Sequence, residues 1–186
     1  MSTLIEPLLT IADLDAMPDD GQRYEIIEGE LFVSCAPGLT HQNVSMNLSI
    51  DLGNFLSANP IGKIWTTPGV IFSELSGVIP DLVFISKDRI EEIASGERIM
   101  GAPDLVIEIV SPGAENERRD RMAKRQLYGK HGVKEYWLVD PYLRTVEVYL
   151  LKGRTMRHWK TCREEDDLAS PTLPGFTCQV ACIFRP

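Results

Sequence analysis

Apolar and polar residues alternate through RYEIIEGELFVS, residues 23–34, and the Glu28-Gly29 pair in its middle is a turn signal, so a β-hairpin is expected there. The period then changes. Val44, Leu48, Leu52 and Phe55 recur at helical spacing through HQNVSMNLSIDLGNFLSAN, which predicts a helix with one buried face, capped by Thr40 and stopped before Pro60. Strand-like runs follow in GKIWTT, GVIFSEL and PDLVFIS, the last over 80–86. A short helical stretch, DRIEEIAS, leads to PDLVIEIVSP at 103–112. After the polar loop PGAENE a helix is expected over 118–130, ending near Gly132. EYWLVD comes next, then TVEVYLL and RTMRHWKT as a hairpin across Lys152-Gly153, and FTCQVACIF alternates like a last strand. The order of elements describes an α/β fold, a mixed β-sheet core flanked by helices, with extra hairpins toward the N- and C-terminal ends.

PDLVIEIVSP carries more charge than a buried strand tolerates. Asp104 and Glu108 are evenly spaced, so both side chains point to one face, and a carboxylate there is costly unless a positive group lies against it. Asp81, following Pro80, opens the preceding apolar run at the sheet margin. Two carboxylates on neighbouring strands offer the hard oxygen ligands that Mg²⁺ or Mn²⁺ takes together with waters and phosphate oxygens. Such an ion activates water and offsets charge on an attacked phosphate. Taken alone, a Pro-Asp pair is ordinary at a strand start.

The positive partner is sought on the helix that follows. Ala123 and Leu127 mark its apolar face, Lys124 and Tyr128 lie on the flank, and Arg125 points away. Lys124 can therefore bury its stem and bring its ammonium to the strands, whereas Arg121 and Arg125 are expected toward solvent or a nucleic-acid backbone. The same wheel also permits a plain Asp120–Lys124 helix pair worth about 0.3–0.5 kcal/mol.

A chain of 186 residues favours one domain over 1–186, and 44% hydrophobic with 25% charged residues is an ordinary globular composition. No apolar run approaches the roughly 20 residues of a membrane helix, so no membrane partner is expected. MSTLIEPLLT lacks a basic stretch ahead of a long apolar core, and a cytoplasmic location is expected by default. The net charge of −8 argues against non-specific nucleic-acid binding over the whole surface. Locally, 117–134 holds seven Lys or Arg against two acids, while 74–97 holds six acids against two bases. An acidic centre beside a basic helix suits a metal-dependent site for a phosphate substrate; charge alone favours two solvated faces.

Cys35, Cys162, Cys178 and Cys182 lack the paired short gaps of a zinc site and read as free, mostly buried thiols. Tyr136, Trp137 and Tyr149 sit in alternating strands and read as core rather than as a base-stacking platform. His131 and His158 read as structural.

PD…E-x-V followed by a lysine on the next helix resembles the PD-(D/E)xK nuclease superfamily in a form with a migrated lysine. It is similar, more closely still, to the Uma-two type of bacterial endonucleases, a restriction-endonuclease-like family. The resembling stretches are RYEIIEGEL, HQNV, PDLVFIS, APDLVIEIVSP, RRDRMAKRQLYGKHGVKEYWLVDP and VEVYLL, in that order across 23–151. The resemblance implies a restriction-endonuclease-like core and Mg²⁺- or Mn²⁺-dependent hydrolysis of DNA. Asp81 and Glu108 match its metal-binding acids, and Lys124 matches the lysine that positions the nucleophile and stabilises charge. Tyr128 falls where related nucleases carry the tyrosine of a QxxxY helix motif. Glu30 and His41 lie in stretches characteristic of the family: Glu30 as an extra ligand to metal or water, His41 as a phosphate contact or proton-transfer group. A solvated turn acid and a helix-terminal histidine describe these two equally well. Val110 is a departure, because the standard pattern has its lysine at that position. Cutting both strands of a duplex needs two sites, so a homodimer is expected. Two alternatives stay open: a catalytically inert, nuclease-like binding or scaffold protein, to which Val110 and the acidic net charge point, and a hydrolase of small phosphorylated substrates.

Overall fold

The computed structural model describes residues 7–94, 96–113 and 119–186, with the backbone alone at 119 and 120. Helix α1 (Ile11–Asp15) precedes the expected hairpin of β1 (Arg23–Ile27) and β2 (Glu30–Ser34). Ile27 pairs with Glu30 across a two-residue turn whose residues, Glu28 and Gly29, have φ of 53° and 83°. Positive φ at both positions is the type I′ geometry that matches strand twist.

Helix α2 runs Leu39–Ala58, and Gly38 rather than Thr40 is its N-cap. The extended backbone at Gly38 starts the helix two residues earlier than the Thr40 signal predicts, and no side chain caps it. Its buried face is His41, Val44, Asn47, Leu48, Leu52 and Leu56, and Phe55 packs at the margin, edge-on to Phe176.

Next come β3 (Gly62–Thr66), β4 (Val70–Ser73), β5 (Ser76–Val78) and β6 (Leu82–Ser86). GVIFSEL forms its strand over Val70–Ser73; the chain then turns at Glu74-Leu75, and β5, which the sequence pattern did not announce, runs back antiparallel to β4. Helix α3 (Ile90–Ile93), β7 (Ile99–Met100) and β8 (Leu105–Ile109) follow. A π-helix over Arg119–Lys124 passes directly into α4 (Arg125–His131), which ends on left-handed Gly132 as the sequence predicts. β9 (Glu135–Asp140), β10 (Thr145–Lys152), β11 (Thr155–Cys162), β12 (Asp167–Ala169) and β13 (Thr177–Gln179) lead to α5 (Val180–Ile183). FTCQVACIF therefore divides into a short strand and a helix, because Val180 and Ile183 both bury from one helical face.

A six-stranded sheet has the order β11-β10-β9-β8-β6-β3, parallel at β8–β9 and antiparallel elsewhere. A second, five-stranded sheet has the order β2-β1-β5-β4-β7. The fold is mixed α/β, with mixed sheets flanked by helices as the sequence predicts. β8 is buried on both faces, as a strand between two layers must be. Leu105, Ile107 and Ile109 enter one core with α2 and α5, whereas Val106 and Val110 enter the other with Leu127, Tyr128 and the five-stranded sheet's Ile27, Phe32, Val70 and Val78. Tyr136, Trp137 and Tyr149 are buried, as core residues should be. All four cysteines are free, but Cys35 is exposed beside the first hairpin. Among the described residues no helix is long and apolar enough to cross a membrane.

Candidate active site

β6 and β8 pair antiparallel with Leu82 opposite Ile107. One step beyond that ladder brings Asp81 beside Glu108, on the face shared with Val83 and Val106. The backbone N–H of Ile109 donates to Asp81 Oδ2 at 2.8 Å. His41, on the first turn of α2, lies with Nε2 at 3.1 Å from the same oxygen, and Arg23 reaches within 3.8 Å of Oδ1. Burial pushes the Asp81 carboxyl up, but the His41 hydrogen bond and charge, the Ile109 N–H and the Lys124 ammonium outweigh it and hold the carboxyl below the usual range. Asp81 is thus an ionised carboxylate, so His41 Nε2 is its donor. His41 Nδ1 is buried and has no partner among the described residues.

Glu108 accepts from Lys124 Nζ at 3.1 Å and from the Tyr128 hydroxyl in a short hydrogen bond. Lys124 closes the π-helix, and from there the helix is α, so Lys124 and Tyr128 stand four residues apart on one face and meet the same carboxylate. The wider π turn invalidates a regular wheel over 119–124. Arg121 turns to Asp140 at 2.6 Å and Glu147 at 2.7 Å, and Arg125 lies over the Tyr149 ring at 5.2 Å, both partly exposed. The alternative Asp120–Lys124 pair lies outside the described residues. Burial and the Glu108 charge raise the Tyr128 phenol well above its ordinary value, so it stays a proton donor.

Glu25 completes the centre and was not singled out by the sequence. From β1 its Oε1 lies 2.8 Å from Lys124 Nζ and also accepts the Ile79 N–H at 2.7 Å. Lys124, 2% exposed, therefore bridges a carboxylate from each sheet. The signal for Glu25 was there: an acid inside the apolar run RYEII, the same anomaly that marks Glu108. Glu30 does not join them. It sits exposed at the turn end of the hairpin, opposite Ile27, outside the pocket. Asp104 belongs elsewhere too, tied to the Ser86 N–H, Arg89 and Lys134 at 2.7–2.8 Å. The two acids of PDLVIEIVSP thus find separate cations.

Arg23, Glu25, His41, Asp81, Glu108 and Lys124 line one pocket of about 470 Å³, walled by Ser111, Pro112 and Gly113. Among the described residues no group of three or more His, Cys, Asp or Glu is placed to hold a metal ion. The arrangement offers two adjacent carboxylates, a buried ammonium and a guanidinium, which together suit a phosphate and a hydrated cation.

The fold is shared with a solved protein titled a "putative nuclease belonging to DUF820 from Anabaena variabilis ATCC 29413", with a TM-score of 0.76 at 20% identity over 95% of this chain and 97% of that one. No curated protein matches the chain. The sequence pattern of the Uma2 family, described as "Putative restriction endonuclease", matches residues 11–181, from α1 into α5, and the chain belongs to that family.

Proposed function

We propose that this chain is a metal-dependent endonuclease that hydrolyses DNA phosphodiester bonds, with Mg²⁺ or Mn²⁺ held by Asp81 and Glu108 and with Lys124 as the charge-stabilising group. The observation that carries the reading is the Lys124 ammonium 3.1 Å from Glu108, delivered from the helix into the pocket where Val110 leaves the strand without a lysine. The donor set fits such an ion. Mg²⁺ takes one or two carboxylates and keeps several waters, and Oδ1 of Asp81 has no described partner nearer than Arg23 at 3.8 Å. When bound, the cation supplies Lewis-acid polarisation of a phosphate oxygen and a water of lowered pKa.

The chain's own residues do the rest. Lys124 presents an ammonium to oxygens on which charge builds during attack. Arg23, half-buried at the pocket wall, offers a guanidinium to the same phosphate. His41 and the Ile109 N–H fix Asp81 through one oxygen and aim the other into the pocket. Tyr128 holds Glu108 through Oε1, and the Lys124 ammonium lies 3.1 Å from each of its oxygens. Two copies of the site, as in a homodimer, would serve the two strands of a duplex.

A second reading, an inert nuclease-like binding protein, draws on the fact that Glu108 is already engaged by Lys124 and Tyr128. Mn²⁺ titration with a plasmid-cleavage assay separates the two. The nuclease reading expects wild-type cleavage that requires the ion and is abolished in a folded Asp81→Asn. Cleavage that survives Asp81→Asn, or a wild type that neither binds Mn²⁺ nor cuts, overturns it.

A further inference from the structure

We propose that Glu25 is a positioning residue that keeps the Lys124 ammonium in place while Glu108 gives its charge to a divalent cation; the inference rests on the nuclease reading. In the described geometry Lys124 Nζ shares Glu108 with Tyr128. A cation arriving at Glu108 competes for the same oxygens and repels an ammonium 3.1 Å away. Lys124 is 2% exposed and cannot retreat to water without leaving the pocket. Glu25 provides the alternative. Its carboxylate is 2.8 Å from Nζ, is itself 3% exposed, and belongs to the other sheet, so a cation bound at β6 and β8 leaves it in place. The Ile79 N–H, 2.7 Å from the oxygen that faces Lys124, locks its orientation from the segment joining β5 to β6. Two carboxylates around one ammonium thus let one be shared with an ion.

A purely structural Glu25 would need an acceptor for Ile79 and no charge. Glu25→Gln separates the roles, because its amide oxygen still accepts that N–H. Mn²⁺ binding to the full-length chain is read by calorimetry without nucleic acid, beside kcat and KM on DNA and folding by circular dichroism. The expected result is a folded variant that loses about 10–100-fold in both Mn²⁺ affinity and kcat with KM little changed, since Lys124 loses the Glu25 charge and leans harder on Glu108. In a Lys124→Ala background the same change should cost no further kcat, because Glu25 acts through Lys124. A folded Glu25→Gln with wild-type Mn²⁺ affinity and kcat overturns the inference and leaves the nuclease reading standing. A wild type that neither binds Mn²⁺ nor cuts DNA overturns both. If Glu25→Gln does not fold, Glu25→Gln with Lys124→Met decides: recovery of the fold supports the charge coupling, and continued failure assigns Glu25 to the hairpin's structure.

Discussion

Lys124→Met tests the centre without any assumption about catalysis. Methionine keeps the length and apolar stem of lysine and removes only the charge. In the wild type that charge stands 2.8 Å from Glu25 and 3.1 Å from Glu108, all three side chains at most 4% exposed. At an effective dielectric of about 20, each contact is worth roughly 5–6 kcal/mol of Coulomb attraction, most of it offset by desolvation. Its loss is asymmetric: two carboxylates remain buried without their ammonium, and truncating one partner of a buried pair costs about 3–5 kcal/mol. For a chain of this length each kcal/mol moves Tm by about 2–4 °C, so the expected drop is about 6–20 °C at pH 7 in chelator. Replacing both acids as well, in Glu25→Gln/Glu108→Gln/Lys124→Met, should restore much of it. Mn²⁺ should raise Tm more in Lys124→Met than in the wild type, because the ion then meets Glu108 without a competing ammonium 3.1 Å away. A Lys124→Met protein that melts within about 4 °C of wild type, a change of some 1 kcal/mol, would show that the ammonium is not held between these acids in solution.

Lys124→Ala should lower DNA cleavage by about 10²–10³, the usual loss for one positioned donor, and wild-type cleavage by that variant would remove Lys124 from the mechanism. A Cβ on Gly129 would stand 2.8 Å from Met156 N in β11 and 3.1 Å from Arg154 O in the turn before it, backbone atoms that cannot easily give. Gly129→Ala should therefore cost about 1–3 kcal/mol by lifting α4 off β11, and should weaken cleavage because α4 carries Tyr128 and follows directly on Lys124; an unaltered melting curve would contradict it. Asp104 is raised by burial but lowered further by Lys134, the Ser86 N–H and Arg89, so its folded pKa lies below the unfolded value. Its contribution is then complete above that unfolded value of about 4 and drains as pH falls through the lowered one, by up to about 1.4 kcal/mol per pH unit. Asp104→Asn should flatten the acid limb of a stability–pH curve, and an unchanged limb would refute the assignment.

Periodicity reveals an element where burial alone sets the pattern. The 23–34 hairpin, α2 and β8 follow their apolar spacing because each has a face that must be dry. It fails where two periods share the same residues. Val180 and Ile183 satisfy a helix as well as the odd-even rhythm of FTCQVACIF, and Glu74-Leu75 turns without the glycine, proline or asparagine that would announce it. The site shows the same division. Asp81, Glu108 and Lys124 are visible as charges that an apolar surrounding cannot tolerate singly. Glu25 is such a charge too, but a two-stranded hairpin can turn one face to water, and only the packing of the five-stranded sheet against the second core puts that face inside. Glu30, in the same hairpin, remains outside because it lies at the turn end. Val110 has a physical reason as well. It is 2% exposed in the cluster that holds Leu127 and Tyr128, with its N–H on the Val139 carbonyl. A lysine there would have to thread its charge through that apolar contact, whereas the helix can deliver an ammonium to Glu108 and let position 110 stay apolar. The charge demanded by Glu108 thus sets which atom must arrive, and the packing of α4 on the sheet sets which residue brings it.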